Sequence, residues 1–459
     1  MTEEQMEALE PALADYLDQF LFCCGYTQTF HHLGTYVRGL LSDLPRKTVE
    51  PIALRAEVPV RTLQEFLRDH VWSFQQVRDN LQDHVADLLP KVPKADDLGT
   101  VGLIDETSSA KKGTKTPGAA RQYLGCLGKV ENGIVLVHLG LARGLFKTLV
   151  DADLYLPKEW DADRDRCRAA GIPDTVVHRP KWQIALEQYD RAKGHGITLD
   201  WLTFDEEYGK CPGFSRGLDE RQQRFVGEVP RSFSCLAAHR SGRRPEAAVQ
   251  GRTAEDVARS CTAFRSQAWQ VMHLPRETLQ DQVWRVKAAQ VWLHGAEGWS
   301  DRTYWLIWAC NDETGEEKFF LSNAAQDVSV AVLVRVAFRR WNVEHCFRLA
   351  KSELGYTHFE GRRYVALMRH LSLCLLTLTF VAEQTDRLRG EKSGVDDGAG
   401  VPGTGRGVPG LAPPAARDDR QGMHPQNHLL PPSTQRRRAR LKEEEGTGCQ
   451  ESQEAQAAA

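Results

Sequence analysis

From Glu7 to about Leu89, apolar residues recur every three or four positions: Leu17, Phe20, Leu21 and Cys24, then Leu63, Phe66, Leu67 and Val71. That spacing is the period of a helix face. Gly25, Gly34, Gly39 and Pro45 interrupt it, so the pattern predicts several short helices and not one long one. Residues 54–66 (LRAEVPVRTLQEF) have the proportions of two helices joined by a tight turn, a unit that either enters a DNA groove or simply packs. Residues 90–98 read as a polar linker.

Beyond the linker the period shortens to that of strands. Residues 101–105 (VGLID) and 133–138 (GIVLVH) are short apolar runs, with residues 122–127 between them as a possible pairing partner. Residues 181–193 look helical, 197–204 (ITLDWLTF) form a strand running into Asp205, and 225–229 form another. This alternation predicts an α/β layer with its sheet covered on both faces.

The texture then changes twice. Residues 268–274, 283–293, 304–310 and 318–321 are alternating or aromatic-rich strand segments, with residues 311–315 (NDETG) as a hairpin loop between the last two. Six of the eleven tryptophans fall here. Residues 328–388 are strongly helical. After Gly390, Gly, Pro, Ala, Arg and Glu dominate and periodicity vanishes, a composition that buries too little apolar surface to offset chain entropy and predicts disorder.

A chain of 459 residues allows about three domains. Its net charge of −3 excludes bulk attraction to phosphate, so any nucleic-acid surface must be a local basic patch. No apolar run reaches the roughly 20 residues that span a bilayer, and the acidic N-terminus lacks a secretory pattern. Eleven scattered cysteines without a C-x-x-C pair suit reduced thiols in a cytoplasm. Cys23 and Cys24 beside His31 and His32 invite a metal reading, but a partly buried helical segment explains them as well.

Three carboxylates stand out. Asp105 and Asp205 each end an apolar strand, where open α/β sheets bind ligands. Glu344, Arg348 and Lys351 are spaced four and three apart, on one helical face, with Val343, Cys346, Phe347 and Ala350 turned towards a sheet. Such a face suits phosphate and metal; it is also what an exposed ion-paired stripe looks like. Residues 335–369 hold eight Lys or Arg against three acids, a local basic surplus. Trp299 could stack on a base or fill a core.

Taken together, residues 104–113 (IDETSSAKKG), 120–125 (ARQYLG), 203–209 (TFDEEYG) and 340–351 (RWNVEHCFRLAK), followed by Glu353, Gly355, Glu360 and Gly361, resemble the DDE transposases of bacterial insertion sequences. The similarity is to the IS-four-like group with a β-strand insertion, IS-seven-hundred-one subgroup, and spans roughly residues 17–381. It implies an RNase-H-like mixed sheet flanked by helices, in which Asp105, Asp205 and Glu344 are catalytic and bind two Mg²⁺ ions, with Mn²⁺ as a substitute. It implies that Arg340 and Lys351 contact transposon-end phosphates, with Arg348, Lys111, Lys112 and Arg121 as further DNA-binding candidates. The family's tyrosine three residues before the arginine is Ala337 here.

The implied partners are double-stranded DNA, as terminal inverted repeats and target, and a second copy of the chain on paired ends; the implied location is the cytoplasm, at the nucleoid, with no membrane. The implied parts are a helical DNA-binding region (1–95), the first part of the catalytic core (96–230), a β-rich insertion (231–326), a helical end of the core (327–389) and a disordered tail (390–459) that reads as frame-shifted or degenerate. A catalytically silent DNA-binding derivative and a general RNase-H-like nuclease stay open as alternatives.

Overall fold

The computed structural model describes residues 7–94, 96–238, 243–274, 282–295 and 298–393. The expected tail lies outside them from residue 394 onward.

A mixed sheet organises the chain. Its first strands are β1 (Thr100–Ala110), β2 (Ala120–Leu124), β3 (Lys129–Arg143), β4 (Phe146–Leu154), β5 (Trp201–Phe204) and β6 (Phe225–Val229). β3 runs antiparallel to both β1 and β4, β5 lies parallel to β1, and β6 lies parallel to β5. The resulting order β4-β3-β1-β5-β6, with the first hairpins antiparallel and the last two strands parallel to β1, is RNase-H-like.

The sheet continues with β7 (Ser234–Ala237), β8 (Arg252–Thr253), β9 (Gln270–Leu274), β10 (Gln282–Gly295), β11 (Gly298–Trp299), β12 (Tyr304–Asn311) and β13 (Glu317–Ser322). β13 pairs antiparallel with β6, and β12, β10, β7 and β8 follow outward. The β-rich segment thus extends the edge of the same sheet.

Two strand expectations needed correction. The strand through Asp105 does not end there: β1 runs on to Ala110, because its whole length pairs with β3. β4 has no counterpart in the sequence reading, since Asp151 and Asp153 break its apolar pattern, yet both are buried.

Helices α1 (Leu9–Asp18), α2 (Thr27–Leu41), α3 (Val49–Arg55), α4 (Val60–Arg68) and α5 (Phe74–Leu88) form the N-terminal region. α6 (Lys181–Gly194) and the short α7 (Glu206–Gly209) flank the sheet, and α8 (Val330–Arg339), α9 (Trp341–Ser352) and α10 (Tyr364–Ser393) close the chain. α10 packs on α2, α4, α5 and β4, so the first and last helices share one core. By length and composition residues 364–389 of α10 are apolar enough to cross a membrane, but 83% of their most apolar stretch is buried inside the protein. Arg369 of α10, itself 5% exposed, donates to the carbonyls of Leu67 and His70 at 3.1 and 2.7 Å. It thereby satisfies the open C-terminal end of α4, where unpaired carbonyls favour a cation.

Candidate active site

The site forms where β5 stops. Ile104 lies opposite Phe204 on the parallel pair β1 and β5, so the next residues, Asp105 on β1 and Asp205 just past β5, are neighbours. Asp205 turns the chain from strand to helix: its carboxylate caps α7, accepting from the Glu207 and Tyr208 amides at 3.0 and 3.4 Å. Gly209 closes that turn against β6, because a Cβ there would lie 1.8 Å from the Glu228 carbonyl oxygen.

Glu344 arrives on α9. Its apolar neighbours Val343, Cys346, Phe347 and Ala350 are buried, which turns Glu344 and Arg348 outward. Phe347 packs edge-on against His138 at 4.9 Å between ring centroids, and His138 shares a 2.6 Å hydrogen bond with the Tyr356 hydroxyl. These contacts fix the helix over β3, the strand that pairs Asp105 with His138.

Arg340, at the junction of α8 and α9, joins the acids. Its Nη1 donates to Asp105 Oδ2 at 2.7 Å and its Nη2 to Glu344 Oε1 at 3.1 Å. The side chains of Arg340 and Asp105 are 15% and 11% exposed, whereas Glu344 is 62% exposed. Burial pushes the Asp105 carboxyl up to about 6, against the pull of Arg340 and with help from Glu106 and Glu344. Burial, then the charge of Asp105, also holds Asp205 well above the carboxylate range. Burial thus disfavours both anions, and a proton or a nearby cation relieves the cost.

A cavity of about 360 Å³ opens beside them, lined by Asp105, Glu106, Cys126, Glu344, Arg348 and Lys351 among others. Burial lowers the Lys351 ammonium, which lies 5.7 Å over the Phe347 ring. Glu106 and Lys181 went unnoticed in the sequence. Lys181 Nζ donates to Glu106 Oε1 at 2.9 Å; burial alone would lower this ammonium, but Glu106 and Glu207 outweigh it and hold it raised. Glu106 had a signal, its place beside Asp105; Lys181 had none, being brought in by α6.

The other candidates fall in different places. Lys111 donates to the Phe359 carbonyl at 2.8 Å and braces the loop after α9, while Lys112 and Arg121 are exposed. The basic surplus of residues 335–369 shrinks on folding: Arg335 and Arg339 pair with Asp97 and Asp96, Arg369 is buried, and Arg363 donates to the Ala169 carbonyl at 3.0 Å. Trp299 is 4% exposed and packs against His294. Cys23 and Cys24 are buried thiols.

Among the described residues, no group of three or more His, Cys, Asp or Glu side chains is arranged to hold a metal ion. The donor chemistry nevertheless fits a hard divalent ion: all-oxygen carboxylates, with Asp105 and Asp205 disfavoured as anions by burial and Asp105 and Glu344 on the cavity wall. What stands between Asp105 and Glu344 is the Arg340 guanidinium.

The family described as DDE superfamily endonuclease matches residues 19–290, which include Asp105 and Asp205 and stop before Glu344. A probable transposase for insertion sequence element IS701 from Microchaete diplosiphon is 29% identical over 191 residues, 41% of this chain and 46% of that protein. The chain therefore matches less than half the length of that relative. A cryo-EM structure of the piggyBac transposase synaptic complex with hairpin DNA has a TM-score of 0.39 and 10% identity, covering 79% of this chain and 68% of the other. With more than half of its length matched by that family, the chain belongs to the DDE superfamily of endonucleases.

Proposed function

We propose that this protein is a DNA transposase that cuts phosphodiester bonds at transposon ends and joins the freed 3′-hydroxyl to target DNA. One observation carries the reading: the β1–β5 register sets Asp105 beside Asp205, and Arg340 ties Asp105 to Glu344 at the mouth of a cavity with Arg348 and Lys351 on its wall. Asp105 is linked to an acid on each side, by register to Asp205 and through Arg340 to Glu344, next to cations suited to phosphate.

In this reading Asp105, Asp205 and Glu344 hold two divalent ions, Mg²⁺ or Mn²⁺. When bound, the ions supply charge that stabilises the entering and leaving oxygens of an in-line displacement. Arg348 and Lys351 seat the scissile strand by its phosphates, with Lys112 and Arg121 as outlying contacts. Lys181 steadies Glu106 and, through the backbone, the position of Asp105. The N-terminal helices supply recognition of the DNA ends, two copies of the chain pair those ends, and the protein works at the bacterial nucleoid.

The test is incubation of the full chain with DNA flanking its own gene, with Mg²⁺ and with EDTA. Nicks confined to the terminal repeats that require Mg²⁺ support the proposal. Cleavage indifferent to EDTA, or spread along unrelated DNA, overturns it.

A further inference from the structure

We infer that Arg340 is a resident counter-ion of the acidic site, and that DNA must draw it away before the acids can take up metal. The inference rests on the proposed metal role of Asp105, Asp205 and Glu344 and adds an order of events to it.

The geometry supports a competition. One guanidinium edge occupies Asp105 Oδ2 at 2.7 Å and Glu344 Oε1 at 3.1 Å, so Arg340 uses an oxygen from each of two acids needed for an ion. The other Asp105 oxygen already accepts the Glu106 amide at 2.7 Å. Asp205 and Glu228 also act on Arg340, so charges from β1, α7, α9 and β6 converge on one cation. A divalent ion and a guanidinium both neutralise these oxygens, and the same lone pairs cannot serve both at full strength.

Arg340 also has somewhere else to go. Positions 340, 344, 348 and 351 follow one another at four, four and three residues, so Arg340 begins the stripe that continues as Arg348 and Lys351 along the cavity. A phosphate there offers the fork a bidentate partner as good as two carboxylates. Exchanging carboxylates for phosphate keeps Arg340 paired and leaves the acids bare, which raises their affinity for a divalent ion. Metal binding and DNA binding are then coupled, and each must strengthen the other by the same factor. Without DNA, the site is held shut against metal and against stray hydrolysis.

The probe is Mn²⁺, titrated into the full chain and followed by the electron paramagnetic resonance of the free ion. A duplex of the gene-flanking DNA is added in Ca²⁺-free buffer under conditions too brief for cleavage. Wild-type protein should bind Mn²⁺ about tenfold more tightly with the duplex than without it. Arg340→Gln without DNA should bind Mn²⁺ tightly already and gain nothing from the duplex, although its DNA affinity falls; Arg340→Lys should lie between. Glu344→Gln identifies the site by weakening Mn²⁺ binding in every case. Equal or weaker Mn²⁺ binding by Arg340→Gln of unchanged circular dichroism overturns the inference while leaving the metal role of the acids intact. A duplex that fails to tighten Mn²⁺ on wild-type protein overturns it too, and needs no variant to fold. Absence of Mn²⁺ binding in all proteins sinks the metal reading and this inference with it.

Discussion

Two groups of buried acids lie on the same sheet and differ in one respect. On β4, Asp151 is fully buried and closed in: Arg191 pairs with it, Gln82 donates to it at 3.1 Å, Arg78 stands 3.9 Å away, and Asp153 shares Arg191 at 3.3 Å. At the end of β5, Asp105 and Asp205 share one cation, Arg340, and Asp105 faces a cavity. The first group sets two arginines and an amide donor against the two acids of β4, and it locks α5, β4 and α6 together. The second has fewer cations than acids and an opening for another. Carboxylate–arginine clusters are therefore not diagnostic in themselves; the imbalance of charge and the space beside it distinguish a binding site from a strut.

The sharpest way to break that comparison is to neutralise one acid in each group. Asp105→Asn, Asp205→Asn and Glu344→Gln should abolish end cleavage, a loss beyond the ~10–100-fold expected of a group that only supports a metal ligand. End binding should persist in gel-shift measurements. The folded protein should be no less stable at pH 7, since burial and like charge already disfavour the Asp105 and Asp205 anions. Asp151→Asn should do the reverse: loss of about 3 kcal/mol of stability in urea unfolding, because it breaks the ion pair of a fully buried carboxylate and leaves Arg191 only the longer contact to Asp153. If Asp105→Asn unfolds the protein and Asp151→Asn does not, the distinction between site and strut is wrong.

The same difference governs what the sequence could reveal. Asp105 and Asp205 were legible because each follows an apolar run, although β1 continues past Asp105, and Glu344 because its neighbours fix a helix face. Strand β4 was not legible: Asp151 and Asp153 look like surface residues until Arg191 and Gln82 arrive from helices elsewhere in the chain. The pairing of β13 with β6, which makes the β-rich segment part of the sheet that carries Asp105, joins residues about ninety apart and leaves no local pattern. Helix spacing placed Arg340 one turn before Glu344; it could not tell that the guanidinium turns inward to Asp105. Pairing across the fold also decides which basic residues stay exposed, and composition is blind to it.

Beneath the open group, the supports of α9 make a second prediction, smaller in effect. Burial lowers His138 to about 3 and His370 to about 4, each against weaker opposing contributions from backbone hydrogen bonds. An unfolded histidine titrates near 6.5. Between those values the unfolded chain binds protons that the folded chain refuses, so stability is complete above about pH 6.5 and falls as the pH drops below it. At pH 5 each histidine should have withdrawn about 2 kcal/mol. His370 accepts or shares a 2.9 Å hydrogen bond with Tyr36 of α2, so its protonation loosens α10 from the N-terminal helices. Urea unfolding of His370→Gln between pH 7 and pH 5 should show a flatter acid decline than wild type, from a lower starting stability. An unchanged slope would mean that this histidine takes up its proton without unfolding the protein around it.

The smallest effect separates open from closed among the basic residues. Arg348 and Lys351 face the cavity, whereas Arg335 and Arg339 are engaged by Asp97 and Asp96. Each contact that neutralises a DNA phosphate contributes about 0.9 to the slope of log affinity against log salt. Arg348→Ala and Lys351→Ala should each reduce that slope by roughly this amount when binding to end DNA is measured across salt concentrations. Arg335→Ala and Arg339→Ala should leave the slope unaltered, because their charges are already neutralised within the protein. A slope that responds equally to all four would place Arg335 and Arg339 on the DNA path as well, and would mean that their pairs with Asp97 and Asp96 open when DNA arrives.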